Sequence, residues 1–195
     1  MSIIRKSKTF CVVPFVSQMV DTSGTINLCC VATDHVLKDT DGKNFHVSKD
    51  KMNNVWNSKH MQIYRKYMME GKKLPNCQGC YKLEELGKTS TRQLMNAEWN
   101  DKLGSRGVRQ RVIEALKNDY QLDDSRPVYL DLRLGNICNL KCRMCNPYNS
   151  KAIGSEHSEL LEKDFNYRMV YLREYGDTAE FMKTMTNWYE SDFFL

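Results

Sequence analysis

The eight cysteines of this 195-residue chain fall into two sets whose spacings suit metal chemistry. Cys138, Cys142 and Cys145 form a CxxxCxxC run within VYLDLRLGNICNLKCRMCNP, residues 128–147. Zinc motifs usually draw two ligands from each of two turns, so a trio is the wrong number. A bacterial ferredoxin run carries a fourth cysteine before its proline, whereas Asn146-Pro147 follows here with none nearby. A 4Fe-4S cube held by these three thiolates would keep one iron free of protein ligands, and chemistry at a metal needs such an open position. The plainer alternative is a site completed by a distant cysteine.

Cys11 and Cys29 flank Gly24 in a C-x12-G-x4-C pattern, and Cys77 and Cys80 make a CxxC in LPNCQGCY. Taken alone the CxxC could be a redox pair, but no preceding strand marks a thioredoxin-like unit. Together the four thiolates saturate one 4Fe-4S cluster or one tetrahedral zinc, and sequence separates those metals poorly. Cys30 is surplus to the count, either a buried small hydrophobe or a residue that exchanges roles with Cys29.

Local pattern places both sets on recognisable elements. Val128, Leu130, Leu132 and Leu134 alternate with Tyr129, Asp131 and Arg133, the period of a half-buried strand that opens after Pro127 and closes at Gly135-Asn136. Phe10 to Val20 and Thr25 to Val31 read as a hairpin turning at Asp21-Thr22-Ser23-Gly24, with Gly24 where positive φ is needed. Antiparallel pairing would bring Cys11, early in the first arm, toward Cys29 and Cys30 at the end of the second. Asp39-Thr40-Asp41-Gly42 is a turn, and His35 and His46 sit in the surrounding loop as ordinary surface histidines. Asn53 to Glu70 reads as one helix with Trp56, Ile63, Tyr64, Tyr67 and Met68 inward and Gly71 as its C-cap. A polar helix near Leu83 to Asn96 follows, then an amphipathic helix from Ser105 to Tyr120 with Val108, Val112, Ile113 and Leu116 inward. Asn149 to Asp164 reads as a crossover helix, and Asp177-Thr178-Ala179-Glu180 as a capping box opening a last helix through Phe181, Met185 and Trp188.

Composition is that of a soluble globular protein, with no apolar run of membrane-spanning length and no signal-peptide core, so the expected compartment is cytoplasmic. Eight cysteines without a secretory signal favour metal binding over a disulfide framework. The net charge of +5 is dispersed, with small clusters at Arg5-Lys6, Lys8, Lys72-Lys73 and Arg106 to Arg111. No basic stripe is interleaved with aromatics, which disfavours nucleic acid as a partner.

A strand ending in CNLKCRMCNP resembles the signature of the radical SAM superfamily. The resemblance implies that Cys138, Cys142 and Cys145 ligate a 4Fe-4S cluster whose open iron chelates S-adenosyl-L-methionine. Reductive cleavage would then give a 5′-deoxyadenosyl radical that abstracts hydrogen from a peptide or small-molecule substrate, with a reductant such as a ferredoxin or flavodoxin as partner. Many members carry an aromatic residue just before the third cysteine, where this chain has Met144.

Cys11, Gly24, Cys29, Cys77 and Cys80 resemble the twitch form of the SPASM auxiliary-cluster domain, which implies that these cysteines hold a second 4Fe-4S cluster, with zinc as the alternative. That domain usually follows the barrel; here it precedes the CxxxCxxC strand. The implied fold is an α+β N-terminal twitch-like domain (β-hairpin plus helices) followed by the first βα elements of an incomplete α/β radical SAM barrel. The expected division is residues 1–100 for the auxiliary domain, 101–126 for a helical linker and 127–195 for the start of the core. The glycine-rich segment and further strands of the family do not follow before Leu195. The expectation is therefore a truncated product, half of a split enzyme completed by a second chain, or a relic. The rival reading is a non-catalytic cysteine-rich zinc or cluster module that interacts with protein or nucleic acid.

Overall fold

A computed structural model describes residues 7–33, 36–133, 135–147 and 149–161. The β-branched run after Phe10 favours an extended chain by propensity, but Pro14 supplies no N–H and has its φ preset for a first helical turn. The result is a short helix, α1 (Val13–Val16), before the strand β1 (Ser17–Val20), with the Phe15 amide donating to the Val12 carbonyl at 2.8 Å. Cys11 therefore stands just ahead of a helical turn, and not in the first hairpin arm as its neighbours predict. The return strand β2 is correspondingly short (Ile26–Asn27). The turn between them is the expected one: Gly24 has φ of +77°, a region that side chains disfavour, and its amide donates to Asp21 at 2.8 Å.

The expected helix over residues 53–70 is divided into α2 (Met52–Trp56) and α3 (Lys59–Glu70). Asn57 stops the first, since its side-chain oxygen accepts from the Leu122 amide at 2.9 Å. Ser58 starts the second, accepting from the Met61 amide at 3.3 Å. Gly71 ends α3 in the left-handed conformation, as predicted. The inward face of α3 differs from expectation. Met61, Tyr64, Arg65 and Met68 are buried at helical spacing, whereas Ile63 and Tyr67 lie on the partly exposed side.

Arg65 is wholly buried and donates to the carbonyls of Pro14 (2.8 Å), Trp56 (2.9 Å) and Tyr120 (2.9 Å), while its guanidinium stacks 4.4 Å from the Trp56 ring centre. It thereby ties α1, α2 and the segment after the last core helix to one point.

A 3₁₀ turn (Pro75–Cys77) leads into α4 (Gln78–Glu85). The predicted polar helix is also broken, because Ser90 and Gln93 form a reciprocal capping box that starts α5 (Thr91–Lys102) afresh. The next helix, α6 (Gly104–Lys117), buries Val108, Val112 and Ala115, with Ile113 and Leu116 nearer solvent than predicted.

The strand β3 (Tyr129–Leu132) runs parallel to β1, from Ser17 opposite Tyr129 to Val20 opposite Leu132, and β2 lies antiparallel on the other side, giving the order β2-β1-β3. The strand that leads to the CxxxCxxC loop thus belongs to the same sheet as the N-terminal hairpin. Leu130 and Leu132 pack against the common core, while Val128, just before the strand, is exposed. Leu134 lies outside the described residues. The last described element is α7 (Lys151–Leu161), within the predicted crossover helix. The capping box at Asp177 and the helix after it lie outside the described residues, as does His35. His46 bonds its ring to Ser48 and to the Ser23 carbonyl of the hairpin turn. The architecture is α+β: a small mixed sheet with helices around it. Among the described residues, no helix is long and apolar enough to cross a membrane.

Candidate metal centre

Three separate stretches bring four of the predicted ligands to one place. Cys11 comes from the segment before α1, Cys29 from the chain leaving β2, and Cys77 and Cys80 from the N-terminal end of α4. Reciprocal hydrogen bonds hold the second stretch to the third: the Thr33 amide donates to the Asn76 carbonyl (3.0 Å), and Asn76 Nδ2 donates to the Thr33 carbonyl (2.9 Å). All four cysteines line a single cavity of about 110 Å³.

The opposite wall is the face of the sheet bearing Ser17 and Met19 of β1 and their register partners Tyr129 and Asp131 of β3. These alternate with the core-facing Leu130 and Leu132, so the polar side of the predicted strand is the side that meets the cavity. Thr91, Arg92 and Met95 of α5 complete it. Cys30 also lines the cavity and is exposed, which removes the reading of it as a buried hydrophobe.

Three of the thiols sit in surroundings that resist ionisation. Burial pushes the Cys11 thiol far above the ordinary thiol range and raises Cys29 as well. Burial is also the main cause of the shift that pushes Cys77 up to about 12, with the neighbouring Cys29 and Cys80 adding to it. Without a bound cation Cys11, Cys29 and Cys77 stay protonated; a metal displaces such protons. Two features favour negative charge here. Cys77 and Cys80 occupy the start of α4, where the helix dipole is positive, and Arg92 stands in the cavity wall.

Among the described residues, no three Cys, His, Asp or Glu side chains converge closely enough to share one metal ion. Thiolates about 2.3 Å from a tetrahedral zinc stand only about 3.8 Å from one another. An iron-sulfur cube has an iron at each of four corners and spreads its ligands more widely. Four thiol donors around one cavity fit an iron-sulfur cluster.

Cys138, Cys142 and Cys145 lie together in the loop between β3 and α7 and do not line that cavity. The Cys145 amide donates to the Cys142 carbonyl at 2.9 Å, closing a turn. Ser150 is fully buried beneath the loop. Its hydroxyl donates to the Leu140 carbonyl at 2.8 Å and accepts from the Ile153 amide at 3.4 Å, tying the cysteine loop to the first turn of α7. Cys142 is exposed, Cys138 and Cys145 are half-buried, and Ile137, Leu140 and Met144 project into solvent around them. Asn136 is buried beside the loop, and its side-chain oxygen has no partner among the described residues. The three thiols thus share one loop tied to α7, but like the other described ligand residues they do not close on a single metal position.

Sequence reasoning reached only the first half of α5, inside the polar helix predicted near Leu83 to Asn96, and missed its inward face. Arg92, Met95, Asn96 and Trp99 form its inward face at the spacing i, i+3, i+4, i+7, a signal hidden because two of the four are polar.

Residues 11–81, a little over a third of the chain, match SPASM, described as an iron-sulfur cluster-binding domain. The matched stretch begins at Cys11 and ends one residue after Cys80, so it contains every cysteine that lines the cavity. No curated protein and no solved structure matches the chain.

Proposed function

We propose that this chain is an iron-sulfur protein of the radical SAM type, with an auxiliary 4Fe-4S cluster on Cys11, Cys29, Cys77 and Cys80 and a second cluster on Cys138, Cys142 and Cys145. The observation that carries it is the meeting of four cysteines, drawn from three stretches of a matched cluster-binding domain, around one cavity. The match to an iron-sulfur cluster-binding domain supports a cluster over zinc at those four sulfurs. When bound, the second cluster would supply the electron that cleaves S-adenosyl-L-methionine to a 5′-deoxyadenosyl radical, which takes hydrogen from a peptide or small-molecule substrate. The chain's own part at that loop is to offer three thiolates, to hold them on α7 through Ser150, and to leave the remaining position open. The reading includes a one-electron reductant such as a ferredoxin or flavodoxin, and a second chain completing the substrate side.

The test is anaerobic reconstitution of the full chain, followed by iron, sulfide and zinc analysis and assay of 5′-deoxyadenosine under reducing conditions. Two clusters and cofactor cleavage, alone or with a completing chain, are expected. A colourless, zinc-filled protein would falsify the reading. Clusters with no cleavage under either condition would restrict the function to cluster binding.

A further inference from the structure

Helix α5 lies beyond the stretch that matches the cluster-binding domain, yet it grips that domain where the cavity cysteines are. Asn96 spans the backbone on both sides of Cys11: its Nδ2 donates to the Phe10 carbonyl at 3.0 Å, and its Oδ1 accepts from the Val12 amide at 2.7 Å. A single amide thereby replaces the ladder partner that Cys11 would have in a strand. One turn earlier, Arg92 Nη1 donates to the same Phe10 carbonyl at 2.6 Å. The rest of that guanidinium engages Glu84 with both forks, Nε to Oε1 at 2.9 Å and Nη2 to Oε2. Glu84 stands one helical turn after Cys80 on α4, and Ser90 Oγ donates to it at 2.5 Å. The Arg92 and Glu84 side chains are only 10% and 18% exposed, so solvent screens the pair little.

We propose that Arg92 and Asn96 are positioning residues for the auxiliary cluster: Asn96 fixes the Cys11 segment, and Arg92 joins it to the Cys80 helix while setting a positive charge beside the thiolates. The pair makes α5 a working part of the cluster domain and gives that domain a charge control. The inference rests on the cluster proposed at the four cysteines. A positive charge close to the cluster favours its reduced, more negative form, and the Glu84 carboxylate opposes it.

The charge control is read in the full-length chain carrying Cys142→Ala and Cys145→Ala, so that only the auxiliary site is filled, by reduction followed with electron paramagnetic resonance. Arg92→Gln should move the reduction equilibrium on the order of tenfold toward the oxidised form, about 59 mV for one electron. Glu84→Gln should move it in the opposite direction, and Arg92→Lys should keep it near the native value. A merely structural clamp would lower cluster content in both neutral variants without opposite shifts. Shifts of the same sign, or none in loaded protein, overturn the charge role; if Arg92→Gln takes no cluster, Glu84→Gln decides the sign.

The clamp itself is read in metal-free protein, where Asn96→Ala should speed amide exchange at Val12 at least tenfold, and unchanged exchange overturns it. A native chain that takes up no iron and sulfide overturns the proposed function instead, which separates the two failures.

Discussion

Cys29 and Cys30 are adjacent, and both line the cavity, but Cys29 is half-buried whereas Cys30 is exposed. We expect Cys30→Ser to retain full iron. Cys29→Ser should keep part of the auxiliary iron because Cys30 stands ready beside it, and the double replacement should lose that remainder. Iron per chain after anaerobic reconstitution checks the series; equal loss in the single and double replacements would exclude the exchange. At this scale the sequence was informative about thiols, whose spacing is visible, and silent about Asn96. An asparagine that holds the backbone on either side of Cys11 from 84 and 86 positions away has no local signature, since the contact exists only after α5 docks.

The helices owe their stability to what they join. Replacing Arg65 with Met would keep its bulk and leave the Pro14, Trp56 and Tyr120 carbonyls without their donor. Each buried acceptor left unsatisfied costs about 1–3 kcal/mol, so urea unfolding should show a loss of about 3 kcal/mol or more.

The α4–α5 link should depend on pH. Partial burial works against the Glu84 carboxylate, but the hydrogen bonds from Arg92 and Ser90 outweigh it and hold its pKa below the ordinary glutamate value. A depressed folded pKa means that the contribution is complete above the unfolded value of about 4.3 and fades as pH falls through the folded one. The stability difference between the native chain and Glu84→Gln should therefore be largest near neutral pH and shrink below about pH 4. The longer helices and the Gly71 cap were legible from periodicity, but α1 falls in a stretch that reads as strand and two long predicted helices were each cut in two. Ser58 and Ser90, polar residues inside a helical pattern, act as N-caps once their oxygen finds an amide three residues on.

At the scale of the molecule, the decisive contact is the parallel pairing of β3 with β1. The Val128 amide donates to Val16 at 2.8 Å and the Arg133 amide to Val20 at 3.0 Å, so the strand is fastened at both ends. A chain cut after Arg126 would bare the β1 edge, uncover the core beneath Leu130 and Leu132, and remove the Tyr129 and Asp131 wall of the cavity. Such a chain should unfold at lower denaturant than the full one and aggregate more readily, as chromatography and urea titration would show. A fragment as stable as the whole would mean that the pairing contributes nothing.

Spacing alone determined that Cys77 goes with Cys80 and that Cys138, Cys142 and Cys145 share one loop, because residues close in sequence must stay close in space. The alternating strand and the Gly24 turn were likewise fixed by local sterics. Only the tertiary structure decided that Cys11 comes to Cys77 and Cys80, that α5 walls the cavity, and that the strand before the CxxxCxxC loop docks on the N-terminal hairpin. Those contacts join residues far apart along the chain, and they form where buried surface and shared hydrogen bonds outweigh the entropy of closing long loops, a balance that no short window of sequence contains.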